Sequence, residues 1–121
     1  MKHLHFDPEP SGFYGAYWTC KGGSSCAIIA MLGDDPEDYM ARSAVKWLLR
    51  LGVNVLTMSP AKKDYSHHNY PLERIEAAIA WLKAHGNRKV GIAGASTTGT
   101  LALTAASLFP DLTLTIAMTP S

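Results

Sequence analysis

From residue 26 onward the chain alternates between two hydrophobic patterns. "CAIIAML" (26–32), "VNVLTMS" (53–59), "KVGIAGA" (89–95) and "LTLTIAM" (112–118) are short, nearly unbroken apolar runs. Runs of that length suit strands covered on both faces. Between them, apolar residues return every three or four positions, as on one face of a helix. Met40, Ala41, Ala44, Val45, Leu48 and Leu49 mark the first such segment. There Asp35 can cap, Pro36 suits the first helical position and Gly52 suits the stop. Leu72, Ile75, Ile79 and Leu82 mark the second, opened by Pro71 and ended by Gly86. Leu101, Ala102, Ala105 and Leu108 mark the third, over 97–108, closed by Pro110.

The first 25 residues read differently. Residues 1–12 are polar and broken by Pro8, Pro10 and Gly12. "FYGAYW" (13–18) suits a strand, and "KGGSS" (21–25) reads as a turn into the run at 26, which predicts an N-terminal β-hairpin. Strands joined by crossover helices are parallel, and the helices then cover both sheet faces. The expected architecture is therefore one α/β domain over residues 1–121: a doubly wound, mostly parallel sheet in three layers.

Composition narrows the function. The chain has 121 residues, 47% hydrophobic and 17% charged, as in a globular domain. Eleven basic and ten acidic side chains leave a net charge of +1. That balance supplies no field for nucleic acid or an anionic membrane, so neither is expected as a partner. The two cysteines, Cys20 and Cys26, are too few for a disulfide scaffold and not at a zinc spacing. They read as small core residues in a reducing cytoplasm. "MKHLHFDPEP" has no apolar signal core, so a soluble cytoplasmic protein is expected.

The candidate chemistry lies in "KVGIAGASTTGT" (89–100), where a strand meets a helix at Ser96. Gly94 and Gly99 have phosphate-loop spacing, but Thr100 and Leu101 follow where lysine and serine or threonine are required. A weaker anion site at the helix start stays open. The spacing is also not that of a dinucleotide fingerprint. A nucleophile elbow fits better: strand, G-x-S-x-G, helix. Gly94 is the small residue before Ser96. Thr98 stands where the second glycine is expected, and Gly99 follows one position later. The Thr97 N–H and the helix dipole face the place where a tetrahedral oxyanion would form. The loop after the first apolar run, "LGDD", offers a second donor in the Asp34 N–H; the same residues also suit a plain turn and helix cap.

These residues carry a resemblance. The order strand, LG loop, helix, "GVNVLTMS", "PLERIEAAIAWL", "KVGIAGAS", helix resembles the N-terminal half of an α/β-hydrolase of the dienelactone-hydrolase kind. It is most similar to the C-terminal catalytic domain of acyl-CoA thioesterases and bile acid-CoA:amino acid N-acyltransferases. The resemblance implies a Ser96 nucleophile, an acyl ester or thioester substrate and no cofactor. A homo-oligomer is left open. In this fold the triad runs Ser, Asp or Glu, then His. After Ser96 the sequence holds one carboxylate, Asp111, at the wrong end of a strand, and no histidine. The expectation is that the acid and base lie beyond residue 121 and that this stretch alone is inactive.

The remaining candidates have plainer readings. His67 and His68 sit in a loop expected on the substrate side, as adjacent solvated residues with no third metal ligand spaced near them. Lys62, Lys63 and Asp64 read as the same solvated loop. His3 and His5 alternate on an expected edge strand, and His85 ends a helix. Trp18, Trp47 and Trp81 read as packing residues. The competing reading of the whole is a non-catalytic flavodoxin-like module that binds an anion or a partner at the Ser96–Thr97 turn.

Overall fold

The computed structural model describes residues 3–6, 12–13, 15–31, 36–58, 72–95 and 97–118. Six strands and three helices follow one another: β1 (His3–Phe6), β2 (Gly15–Trp18), β3 (Cys26–Met31), α1 (Tyr39–Arg50), β4 (Asn54–Met58), α2 (Leu72–Ala84), β5 (Lys89–Ala95), α3 (Thr97–Leu108) and β6 (Leu112–Met118). The strands form one sheet in the order β1-β2-β4-β3-β5-β6. β4, β3, β5 and β6 are parallel, and β1 and β2 are antiparallel additions outside β4.

Alternation along the strands sorts the core into two layers. Ala27, Ile29, Met31, Leu56, Met58, Val90 and Ile92 face one side and pack with α2 (Ile75, Ala78, Ile79, Leu82) and α3 (Ala102, Ala105). Ile28, Ala30, Val55 and Ala93 face the other side and pack with Val45 and Leu48 of α1. The three-layer, helix-on-both-faces architecture expected from the sequence is the one observed.

The N-terminal pairing departs from expectation. β2 does not form a hairpin with β3; it lies antiparallel to β4, with Ala16 opposite Thr57 and Trp18 opposite Val55. The antiparallel pair near the N-terminus is β1 with β2. β4 competes better for β2 because it offers polar partners at both ends. The Trp18 indole N–H donates to Thr57 Oγ1 (3.2 Å), and the Cys20 N–H donates to Asn54 Oδ1 (2.8 Å).

Helix α1 also begins later than the Asp35–Pro36 signal suggests. Its cap is Asp38, whose carboxylate accepts from the Ala41 N–H at 2.8 Å. Asp35 lies outside the described residues. Gly52 does end the helix, at φ +86°, a conformation that costs glycine little. Only one stripe of α1 is buried: Ala41, Val45 and Leu48. Met40 and Trp47 fall about 100–130° round the helix from that stripe at 100° per residue. They are 61% and 59% exposed, so Trp47 is not a packing residue here. Trp18 is fully buried, and Trp81 packs edge-on against Phe6 and Tyr17. Cys20 and Cys26 are free thiols and half-buried rather than core.

A buried amide pair closes the amino-terminal edge of the parallel strands. Asn54 Nδ2 donates to Asn87 Oδ1 (2.9 Å) and to the Ser24 carbonyl (3.1 Å). Asn87 Nδ2 donates to the Tyr17 hydroxyl (3.0 Å) and the Leu82 carbonyl (3.1 Å). The pair thus ties β2, β4 and the ends of α2 and β5 together, away from solvent.

Two substitutions test this packing. A Cβ on Gly15 would stand 2.6 Å from the Thr57 carbonyl oxygen, so β2 must move away from β4 to accept it. Gly15→Ala is expected to lower unfolding free energy by about 1–3 kcal/mol, the range for overpacking; an unchanged denaturation midpoint would refute the close approach. Asn54→Ala and Asn87→Ala each strand a buried partner, at about 1–3 kcal/mol apiece. Their double mutant is expected to be less destabilised than the sum of the two, and strict additivity in denaturant titrations would dissolve the network.

Candidate active site

The connections out of β3 set the geometry. β3 passes through α1, on one face, to β4 on its one side. The chain then crosses through α2, on the other face, to β5 on β3's opposite side. The strand order therefore reverses between β3 and β5. In open α/β sheets the crevice at the carboxyl ends of the strands flanking that reversal is where ligands bind. The ends of β3 and β5 are level there, because Met31 pairs with Gly94.

Two strands end at this crevice, β3 at Met31 and β5 at Ala95. β5 ends at Ala95 and α3 begins at Thr97, so Ser96 alone joins them in the sequence. In the sequence, "LGDD" follows Met31, the last residue of β3. Gly94 is buried in β5, between β3 and β6. Thr97 and Gly99 belong to the first turn of α3. The backbone N–H groups of a helix's first turn have no acceptor within the helix and carry its positive dipole end. Ser96, Asp34, His67, His68, Lys62, Lys63 and Asp64 lie outside the described residues.

The other titratable candidates are elsewhere. Asp111 precedes β6, whose Leu112 pairs with Val90 near the amino end of β5. It is exposed, with Lys83 Nζ 3.8 Å from its carboxylate. A seven-residue strand is about 23 Å long, which separates Asp111 from the Ser96 turn, as its position in the sequence implies. His85 sits just past α2, stacked on Trp81 with ring centroids 3.9 Å apart, its Nδ1–H donating to the Trp81 carbonyl (2.8 Å). His5 is exposed on the edge strand, as expected, with Nδ1 2.9 Å from Glu37 Oε2. Among the described residues no group of three or more His, Cys, Asp or Glu side chains is arranged to hold a metal ion. Nor, among them, is any helix long and apolar enough to cross a membrane.

Thr57 is a residue that sequence reasoning passed over. It is buried in β4, and its hydroxyl oxygen lies 2.6 Å from the carbonyl of Pro36, just after the 32–35 segment. The only signal was a hydroxyl inside the apolar run "VNVLTMS", with nothing to name its partner.

No protein-family model matches the sequence, and neither does any curated protein. Solved structures do match. An esterase of Pyrococcus furiosus superposes with a TM-score of 0.73 at 20% identity, over 98% of this chain and 48% of that one. The α/β hydrolase GrgF from Penicillium sp. sh18 gives 0.78 at 19% identity, over 98% and 45%. Est1E from Butyrivibrio proteoclasticus gives 0.73 at 19%, over 99% and 51%. The chain thus spans about half the length of these structures. At such identities the likeness is one of fold: the chain has the α/β-hydrolase fold.

The remote position of Asp111 is testable. Asp111→Asn is expected to leave labelling of the β5–α3 turn by an organophosphorus probe unchanged, as well as the melting temperature, since exposed ion pairs contribute little. A large fall in labelling rate would bring that carboxylate into the chemistry.

Proposed function

We propose that this chain carries the nucleophile of an acyl hydrolase, with Ser96 attacking an ester or thioester carbonyl. The observation that carries the reading is the β5–α3 link at the strand-order reversal, level with the end of β3. A serine in a tight strand-to-helix link is held clear of the sheet, next to helix N–H groups able to hold negative charge. The α/β-hydrolase fold, shared with esterases, supports the same class.

The proposed reaction has two halves. Ser96 Oγ adds to the acyl carbonyl as a base takes its proton, and the carbonyl oxygen becomes an oxyanion. The Thr97 and Asp34 N–H groups hold that charge. Collapse expels an alcohol or thiol, which recovers the proton, and leaves an acyl-serine ester. Water then attacks that ester and releases a carboxylic acid, restoring the serine. The matched structures are about twice as long, and the triad acid and histidine are assigned to the part of such a fold that this chain does not span. A thioester-cleaving or acyl-transferring enzyme is the preferred member of the class, from the resemblance around "GAST".

A fluorophosphonate probe on the full-length protein is expected to label Ser96, and Ser96→Ala to abolish labelling and lower kcat by at least about 10³-fold, as for loss of a serine nucleophile. A folded full-length protein that resists the probe would favour the anion-binding module instead.

A further inference from the structure

We infer that β6 is a docking edge for a second copy of this chain, which adds its own β6 antiparallel to it about a twofold axis.

The two edges of the sheet are built differently. Among the described residues β6 pairs with β5 alone, as β1 pairs with β2 alone. β1 is four residues long and carries His5, whose Nδ1 lies 2.9 Å from Glu37 Oε2. Short length and nearby charge are ways in which a sheet guards an edge against other chains. β6 has neither guard. Its seven residues, "LTLTIAM", include no charge and no proline. The outward N–H and C=O groups of such a strand are a template for a further strand, and adding one continues the existing sheet.

The side chains along this edge suit a copy of themselves. A register shift between Val90 and Gly91 puts Leu114 opposite Gly91 and Ile116 opposite Ala93. Both stand on the α1 side of the sheet, beside Ile28: a Cβ on Gly91 would meet Ile28 Cδ1 at 2.9 Å and Leu114 Cβ at 3.0 Å. α1 packs over β3 and β4, and Leu114 is left 51% exposed. With Thr115 at the axis, Leu114 of each copy faces Ile116 of the other on this side, so that apolar surface leaves water. On the opposite side Thr115 faces its mate, a favourable antiparallel pair. An uncharged strand also meets no like charge in its own copy. Because β1 is guarded, assembly closes at two copies.

The test is sedimentation of the 121-residue chain across a wide concentration range. A concentration-dependent dimer is expected. Leu114→Lys sets two like charges beside the axis and is expected to give a folded monomer at the same concentrations. Leu4→Lys, at an exposed position of β1, is expected to leave the dimer intact. Thr115→Cys reads the register. Facing Cα atoms in an antiparallel pair are about 4.5–5.5 Å apart, within the roughly 4.4–6.8 Å that a disulfide spans. Mild oxidation is therefore expected to cross-link that variant well beyond the wild-type background from Cys20 and Cys26. A wild-type chain that stays monomeric overturns the inference. So does a dimer unmoved by Leu114→Lys, or a Thr115→Cys chain no more cross-linked than wild type. Should circular dichroism show Leu114→Lys unfolded, the cross-link decides. None of these results touches Ser96, so the hydrolase reading stands or falls separately, on the fluorophosphonate.

Discussion

β3 hydrogen-bonds to β4 along one edge and to β5 along the other, and helices cover both its faces. A strand so enclosed must be apolar throughout, and Ala27 to Met31 are all buried. Its register with β5 brings the two strand ends level. Its position between β4 and β5 forces the crossovers to opposite faces. The crevice therefore follows from the placement of β3, and the residues that leave the sheet there inherit their position from it.

The two ends of the parallel strands are held by different means. At the amino end, Asn54 and Asn87 satisfy each other and nearby backbone groups in a network closed to solvent. Such a network strongly disfavours partial formation, because a missing member leaves another amide unpaired in a low-dielectric interior. At the carboxyl end, the Thr57 hydroxyl joins β4 to the Pro36 backbone. The amino end is thus closed by an amide network, and the carboxyl end by a single hydroxyl between β4 and the start of α1.

Much of this was legible in the sequence, for reasons that differ by element. The bounds of β5, α3 and β6 follow from local pattern: a seven-residue apolar run, a helical repeat of small and apolar residues, and Pro110 between them. What failed required knowledge of distant partners. The "KGGSS" turn suggested pairing of β2 with β3, but the strand that satisfies Trp18 and Cys20 is β4, more than thirty residues further on. The sequence pointed to Asp35 as the cap, but Asp38 holds that role, while the Pro36 carbonyl is engaged by Thr57. Trp47 read as core because tryptophan usually is, yet its place on α1 turns it away from the buried stripe. The change from strand to helix between Ala95 and Thr97 was legible; the buried role of Thr57 was not, since one threonine in an apolar strand looks like any other.

The antiparallel seat of β2 on β4 bears on how the chain folds during synthesis. Translation delivers the N-terminus first. β3, α1 and β4 form a compact unit of nearby residues, the kind of local contact that assembles quickly. β1 and β2 emerge earlier but can pair only with each other until Met58 has left the ribosome tunnel. In that interval Tyr17 and Trp18 lack β4, and Phe6 and Tyr17 lack the Trp81 ring of α2 that later packs against them. A nascent chain stalled before β4 would thus present sticky aromatic surface, the kind of segment on which chaperones act.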